Sequence, residues 1–354
     1  MSALDDPAAY QRLDPQNMRA TVRDLPRQCR DAWQEAQAIE LPAGYGDVAK
    51  VVILGMGGSA IAGDLLRALA ALESPVPIFS HRAYDLPLLV DGRTLLIASS
   101  YSGSTEETLS AFQAALGSDA RKLVISTGGQ LLETARADGI PTFVFHYEST
   151  PRAALGYSLM SLLAIAGKLG IVGDKSADVV EAVAVMEELL RRIGEDVPLA
   201  ENPAKQLAMR LHGRLPVVYG AGILTGVARR WKSGLNETSE MWAFSEELPE
   251  ADHNAIVGYG LPEAIARAAV VVFLRAPSLH PRVLLRHDFT RRALAEAGVE
   301  SEAVEAMGHS PLAHILSTVL FGDYVGLYLA ILNEVAPAPT AAIDRLKQGL
   351  AKRA

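Results

Sequence analysis

Five short apolar runs, alternating with helical stretches, constrain the fold of this chain more than any other feature. They are KVVILG (50–55), PVPIFS (75–80), TLLIAS (94–99), KLVIST (122–127) and PTFVFH (141–146). Each is apolar on both faces, and a strand tolerates that only when helices cover both sides of its sheet. Between the runs lie helical patterns near 59–72, 105–116 and 130–138, and a longer one over 152–170 closes the series. Alternation of this kind predicts a parallel sheet sandwiched by helices.

The plan then repeats. After helical stretches at 175–193 and 201–213 comes LPVVYGAG (215–222), a strand running into Gly220-Ala221-Gly222, with a helix near 224–235. AVVVFLRA (269–276) reads as a strand, HDFTRRALAEAG (287–298) as a helix and VESEAVEAM (299–307) as carrying a short strand. The apolar segment 309–335 takes the same place in the second half as 149–172 in the first. The sequence therefore predicts an α/β fold of two tandem subdomains, each a parallel sheet flanked by helices. The boundaries read as a helical N-terminal arm over 1–49, a first subdomain over 50–172 and a second, with a C-terminal helix, over 173–354. Two such sheets leave a crevice, a usual place for a ligand.

Composition narrows the partners. A formal net charge of −8 on 354 residues argues against nucleic acid or an anionic membrane, since no cationic excess offsets phosphate repulsion. A small anion, which feels only its pocket, stays open. The lone cysteine, Cys29, excludes an intrachain disulfide and a cysteine-built metal site. The start MSALDDPAAYQRLD has acidic residues where a signal peptide needs basic ones, so a cytoplasmic location is expected. The most apolar stretch, 315–332, is interrupted by Asp323 and two glycines and reads as a buried helix rather than a membrane span.

Two loops carry the chemistry. The first, VVILGMGGSAIAGD (51–64), runs a strand into Gly55, Gly57, Gly58 and Ser59 at the start of a helix. It nearly fits the dinucleotide fingerprint, but the next strand ends in His81-Arg82, where the ribose-binding acid should stand, and Asp85 comes several residues late. The second, SYSGSTEETL (100–109), crowds Ser100, Ser102, Ser104, Thr105 and Thr108 around Gly103 at a helix start. Hydroxyls and free amides at a helix N-terminus suit a phosphate monoester. Some of these hydroxyls can equally serve the helix, with Ser104 to Glu107 forming a capping box.

The pairing of GMGGSAIAGD with SYSGSTEET resembles the sugar isomerase (SIS) fold. ARRWKSGLNETSE (228–240), His253-Asn254 and AAIDRLKQGL (341–350) extend the likeness to the bifunctional phosphoglucose/phosphomannose isomerase family. The likeness runs from about residue 50 to the end. It implies two SIS-type subdomains and a metal-independent aldose–ketose isomerase that needs no cofactor. Such an enzyme would interconvert glucose 6-phosphate and fructose 6-phosphate, and mannose 6-phosphate too, through a cis-enediol.

The same resemblance assigns roles. Gly57, Gly58 and Ser59 would line the sugar site, and Ser100, Ser102 and Thr105 would hold the phosphate. Glu237, in the Asn236-Glu237 step, would be the proton-transfer base. Arg152 would face the enediolate, and His253 and Lys347 would assist ring opening. His253 would reach in from the partner subunit of a homodimer. Thr340 is the candidate for the threonine associated with mannose phosphate. This chain departs from the family in having Ser104 where Asn is frequent, Glu240 where a lysine is frequent, and APAPT (336–340) before the last helix.

Two rivals belong to other classes. A non-catalytic SIS regulator would bind the sugar phosphate and act on a partner, but the residues before the first strand show no DNA-recognition pattern. A glutamine-dependent amidotransferase would need an N-terminal cysteine nucleophile, and Cys29 is not at the N-terminus.

Overall fold

The computed structural model describes residues 2–352. The chain opens with α1 (Pro7–Leu13), α2 (Met18–Arg23) and α3 (Leu25–Gln37). The first sheet follows: β1 (Lys50–Leu54), α4 (Gly57–Ala70), β2 (Ile78–His81), β3 (Thr94–Ser100), α5 (Glu106–Ala115), β4 (Arg121–Ser126), α6 (Gly129–Ala137) and β5 (Thr142–Val144). All five strands are parallel, in the order β2-β1-β3-β4-β5. Next come α7 (Leu155–Lys168), α8 (Ser176–Ile193) and α9 (Pro203–Leu211). The second sheet comprises β6 (Leu215–Ala221), α10 (Thr225–Thr238), β7 (Phe244–Leu248), α11 (Glu263–Ala268), β8 (Ala269–Arg275), α12 (Pro281–Glu296) and β9 (Glu300–Glu305). Its four strands are also parallel, ordered β7-β6-β8-β9. The chain ends with α13 (Pro311–Leu332) and α14 (Ala341–Ala351). The expected fold class, two parallel sheets flanked by helices, is what the molecule has.

The N-terminal helices are part of the core. Leu4, Tyr10, Leu13, Met18, Val22 and Leu25 are buried, and α3 packs along α7 and α8. Gly156 permits the closest approach: a Cβ there would lie 2.6 Å from that of Gln28. The apolar helix α13 is long enough to cross a membrane, yet 83% of its apolar window is buried inside the protein. It packs against α8, α9 and α10. Trp231 of α10 lies over Gly322 of α13, donating from Nε1 to the Thr318 carbonyl at 2.9 Å.

Among the elements that differ from expectation are β7 and α12. The edge strand β7 is read from FSEEL, whose serine and two glutamates carry no buried-strand signature, because only one edge of it is paired. Helix α12 begins at Pro281, not near 287: Pro281 occupies the first turn and the His280 Nδ1 accepts the Arg282 amide at 3.1 Å.

Candidate active site

The parallel register places the ends of β1 and β3 side by side, with Leu54 opposite Ala98. Each strand delivers its chain into a helix whose N-cap residue, Met56 for α4 and Thr105 for α5, makes no side-chain capping bond. The first-turn amides of two neighbouring helices are thus left without side-chain acceptors, at the positive ends of both dipoles. The suggested capping box over 104–107 is not formed, because Thr105 and not Ser104 is the N-cap.

The glycine turn is set by contacts. Gly57 has φ +49°, and a Cβ on Gly58 would stand 3.1 Å from the Pro151 carbonyl oxygen and 3.5 Å from the Arg152 Cα. Gly58 therefore lets the loop press against the turn that carries Arg152. Ser59 is buried at the foot of α4.

The serine loop is braced from below. Gly103 has φ +63°, and a Cβ there would fall 1.8 Å from the Gly128 carbonyl oxygen. The Leu131 amide donates to the Gly103 carbonyl at 2.9 Å, tying the β4–α6 turn to the loop. The Ser100 hydroxyl accepts the Gly103 amide at 3.2 Å and lies 3.0 Å from the Thr105 Oγ1. Ser102 Oγ accepts the Ser104 amide at 3.2 Å. Ser100 is buried and Ser102 exposed.

Arg152 sits in a short 3-10 turn before α7 and is 6% exposed. Its Nη2 donates to the carbonyls of Pro337 (2.6 Å) and Ala338 (2.9 Å), and its Nε donates to Thr238 Oγ1 at 3.4 Å. Its Nη1 lies 3.8 Å from Glu237 Oε2 in the last turn of α10. Burial pulls the guanidinium below its usual pKa, and the Glu237 charge pulls it back up. Glu237 is 29% exposed, so its carboxylate can meet a solute.

Behind this pair, on the same face of α10, Arg230 Nη2 grips both oxygens of Asp323 at 3.0 and 2.9 Å. Arg152, Arg230, Thr238 and Asp323 line one small void with Gly234 and Gly326. Among the described residues, the Arg230 Nε has no hydrogen-bonding partner. Sequence reasoning passed over this pair and also Asp64, a buried carboxylate of α4 that accepts from Arg82 (2.6 Å) and Arg229 (2.7 Å). Asp64 thereby fastens α4 to α10. The SHRAYD segment that failed as a ribose-binding motif serves this clasp.

The remaining named residues stand apart. His253 ends a 3-10 turn after β7 and is exposed. Thr340 is the N-cap residue of α14, and Lys347 is exposed on that helix. Among the described residues, neither the His253 nor the Lys347 side chain has a hydrogen-bonding partner in its own chain. The geometry sets the glycine loop beside the serine loop at the ends of β1 and β3, and beside the turn of Arg152, which pairs with Glu237. Arg152 is joined to the 337–338 backbone, and among the described residues no hydrogen bond or ion pair links this group to His253 or Lys347.

Two tandem parallel sheets flanked by helices, with the glycine and serine loops at neighbouring strand ends, give this chain an SIS-type fold. The chain belongs to the bifunctional phosphoglucose/phosphomannose isomerase family. A family model described as "Bacterial phospho-glucose isomerase C-terminal SIS domain" matches residues 200–350. A bifunctional phosphoglucose/phosphomannose isomerase of Caldicellulosiruptor bescii is 39% identical over 336 residues, covering 95% of this chain and 99% of that protein. One of Aquifex aeolicus is 34% identical, covering 86% and 91%. The fold is also that of a hypothetical protein of Thermus thermophilus, whose crystal structure matches 98% of this chain and 94% of its own, with a TM-score of 0.72 at 22% identity.

Proposed function

We propose that this protein is an aldose–ketose isomerase that interconverts glucose 6-phosphate and fructose 6-phosphate, and mannose 6-phosphate as well, without a metal. The observation that carries the reading is Glu237, an accessible carboxylate 3.8 Å from the buried Arg152 guanidinium, in a chain whose relatives bear that activity in their names.

The chemistry follows from what each group has free. Nε and Nη2 of Arg152 are engaged by Thr238 and by two carbonyls, so Nη1 is the nitrogen left for a substrate oxygen. With open-chain fructose 6-phosphate, Glu237 takes a C1 proton, and the electron pair moves to form the C1–C2 double bond. The carbonyl oxygen at C2 becomes the enediolate oxygen, which Arg152 Nη1 stabilises. A proton passes between O1 and O2, and Glu237 returns its proton to C2, giving the aldose. Delivery to the opposite face of C2 gives mannose 6-phosphate, with Thr340 as the residue assigned to that specificity. Gly57, Gly58 and Ser59 line the sugar, while Ser100, Ser102 and Thr105, with the α4 and α5 amides, hold the phosphate.

His253 and Lys347 open the ring. A homodimer accounts for their exposure. The loop around His253 displays Val257 and Leu261, and α14 displays Ile343, Leu346 and Leu350. Lys347 shares the stripe of Ile343 and Leu350, so covering that stripe would enclose the lysine. The division into 1–49, 50–172 and 173–354, and a cytoplasmic setting for glycolytic and gluconeogenic flux, belong to the same reading.

Incubation with fructose 6-phosphate in D₂O, with EDTA present, tests it. Deuterium at C2 of glucose 6-phosphate, with mannose 6-phosphate also formed, is the expected NMR result. Binding without exchange or product would defeat the enzyme reading.

A further inference from the structure

The loop that carries His253 is exposed at its crest and anchored at both sides. On one side, Asp252 turns inward and its side chain is 8% exposed. Its Oδ1 accepts from Thr290 Oγ1 at 2.7 Å, and its Oδ2 accepts from Arg286 Nη1 at 3.0 Å. The two donors stand one turn apart on a single face of α12, which also packs against the 3-10 turn Ala255–Val257. The single Thr290 proton has a second acceptor, the Arg286 carbonyl at 2.8 Å, but the carboxylate charge makes the bond to Asp252 the stronger one. On the other side, the Tyr259 hydroxyl lies 3.1 Å from that of Tyr219, a buried residue of β6. Between the anchors, Asn254 donates to Glu250 Oε1 at 2.9 Å and accepts the Ala255 amide at 2.6 Å.

Within its own subunit this short loop has little apolar burial to offset the entropy of ordering its backbone, about 1–2 kcal/mol per residue. Two charge-assisted bonds at one residue are a strong local restraint, and they fall on the residue next to the histidine. Misplacing a catalytic group by an ångström can cost about 100-fold in rate. We propose that Asp252, clamped by Thr290 and Arg286, is a positioning residue that fixes the direction of the His253 imidazole before the sugar ring arrives. The inference rests on the proposed ring-opening role of His253.

A double-mutant cycle between Thr290→Val and His253→Ala tests the clamp. Thr290→Val is expected to lower kcat about tenfold with KM and Tm nearly unchanged, and Thr290→Ser, which keeps the hydroxyl, restores it. In the His253→Ala background, Thr290→Val should cost nothing further. The same loss in both backgrounds, or no loss in either, overturns the clamp while leaving the role of His253 intact. Full activity of His253→Ala alone would overturn the role itself, and with it the clamp. Asp252→Asn, which keeps the shape and removes the charge, provides the same comparison if the valine variant folds poorly.

Discussion

Arg152 Nη1 stands 3.8 Å from Glu237 Oε2, while Nη2 of the same guanidinium is held by the carbonyls of residues 337 and 338. One side chain thus links the proposed base to the segment that leads into α14. Replacing Glu237 by Gln keeps the volume and removes the proton acceptor. Turnover should fall by about 10² to 10⁴, with KM little changed, because the lost interaction is made in the transition state. Steady-state kinetics and binding of a sugar phosphate by calorimetry check this. A fully active Gln variant would mean that the base is elsewhere.

Arg152→Lys separates charge from geometry. An ammonium keeps the cation but cannot occupy Thr238, two carbonyls and a substrate oxygen together. Turnover should fall by at least about tenfold, since oxyanion donors contribute at this scale or above. The hold on 337–338 should loosen, and limited proteolysis should then cut the C-terminal segment faster than in the wild type. Unchanged proteolysis with reduced turnover would show that the carbonyl contacts do not restrain α14.

Much of the scaffold was legible because buried parallel strands announce themselves. β1, β3 and β4 carry unbroken apolar runs, and the glycine and serine loops stand where strands end. β7 was not legible, since an edge strand with exposed Glu246 and Glu247 has no reason to be apolar. The pairing of Asp64 with Arg229, and of Arg230 with Asp323, spans 165 and 93 residues. No local period encodes such partners. The site shows the same division. The loops, and Arg152 and Glu237 as separate candidates, come from motif and resemblance, whereas the approach of Arg152 to Glu237 and its clasp on 337–338 depend on tertiary packing.

Gly103→Ala tests whether the serine loop must keep its shape. The backbone at φ +63° already disfavours a side chain, and a Cβ would overlap the Gly128 carbonyl oxygen at 1.8 Å. The loop or the β4–α6 turn has to move. A destabilisation of about 1–3 kcal/mol is expected, with a higher KM for sugar phosphate because Ser100, Ser102 and Thr105 lose their arrangement. An unchanged KM would remove this loop from phosphate binding.

The Arg230–Asp323 pair should behave as a buried ion pair. Arg230→Met leaves the Asp323 carboxylate uncompensated beside α10 and should cost about 3–5 kcal/mol. Asp323→Leu leaves a buried cation close to Arg152 and should cost a similar amount. The double variant should recover much of the loss, because neither charge is then stranded. Urea unfolding of the three variants measures the coupling. Additive losses would show that each residue acts through packing instead.

His287 supplies a pH dependence of stability. The imidazole is wholly buried on α12 against the Phe273 ring, and among the described residues neither ring nitrogen has a hydrogen-bonding partner. Burial, helped by the Arg275 charge and opposed by Asp288 and Asp252, pushes its pKa down to about 4. The folded protein therefore holds the ring neutral, while the unfolded chain takes up the proton at about 6.5. The folded state has its full stability above about pH 6.5 and loses it as pH falls towards about 4, by about 3 kcal/mol in all. His287→Leu removes this proton uptake and the two unpaired nitrogens. Urea unfolding at pH 7.5 and at pH 4.5 should show the wild type losing about 2–3 kcal/mol more than the variant between the two. Equal losses in both proteins would mean that His287 is not the group whose protonation drives acid destabilisation.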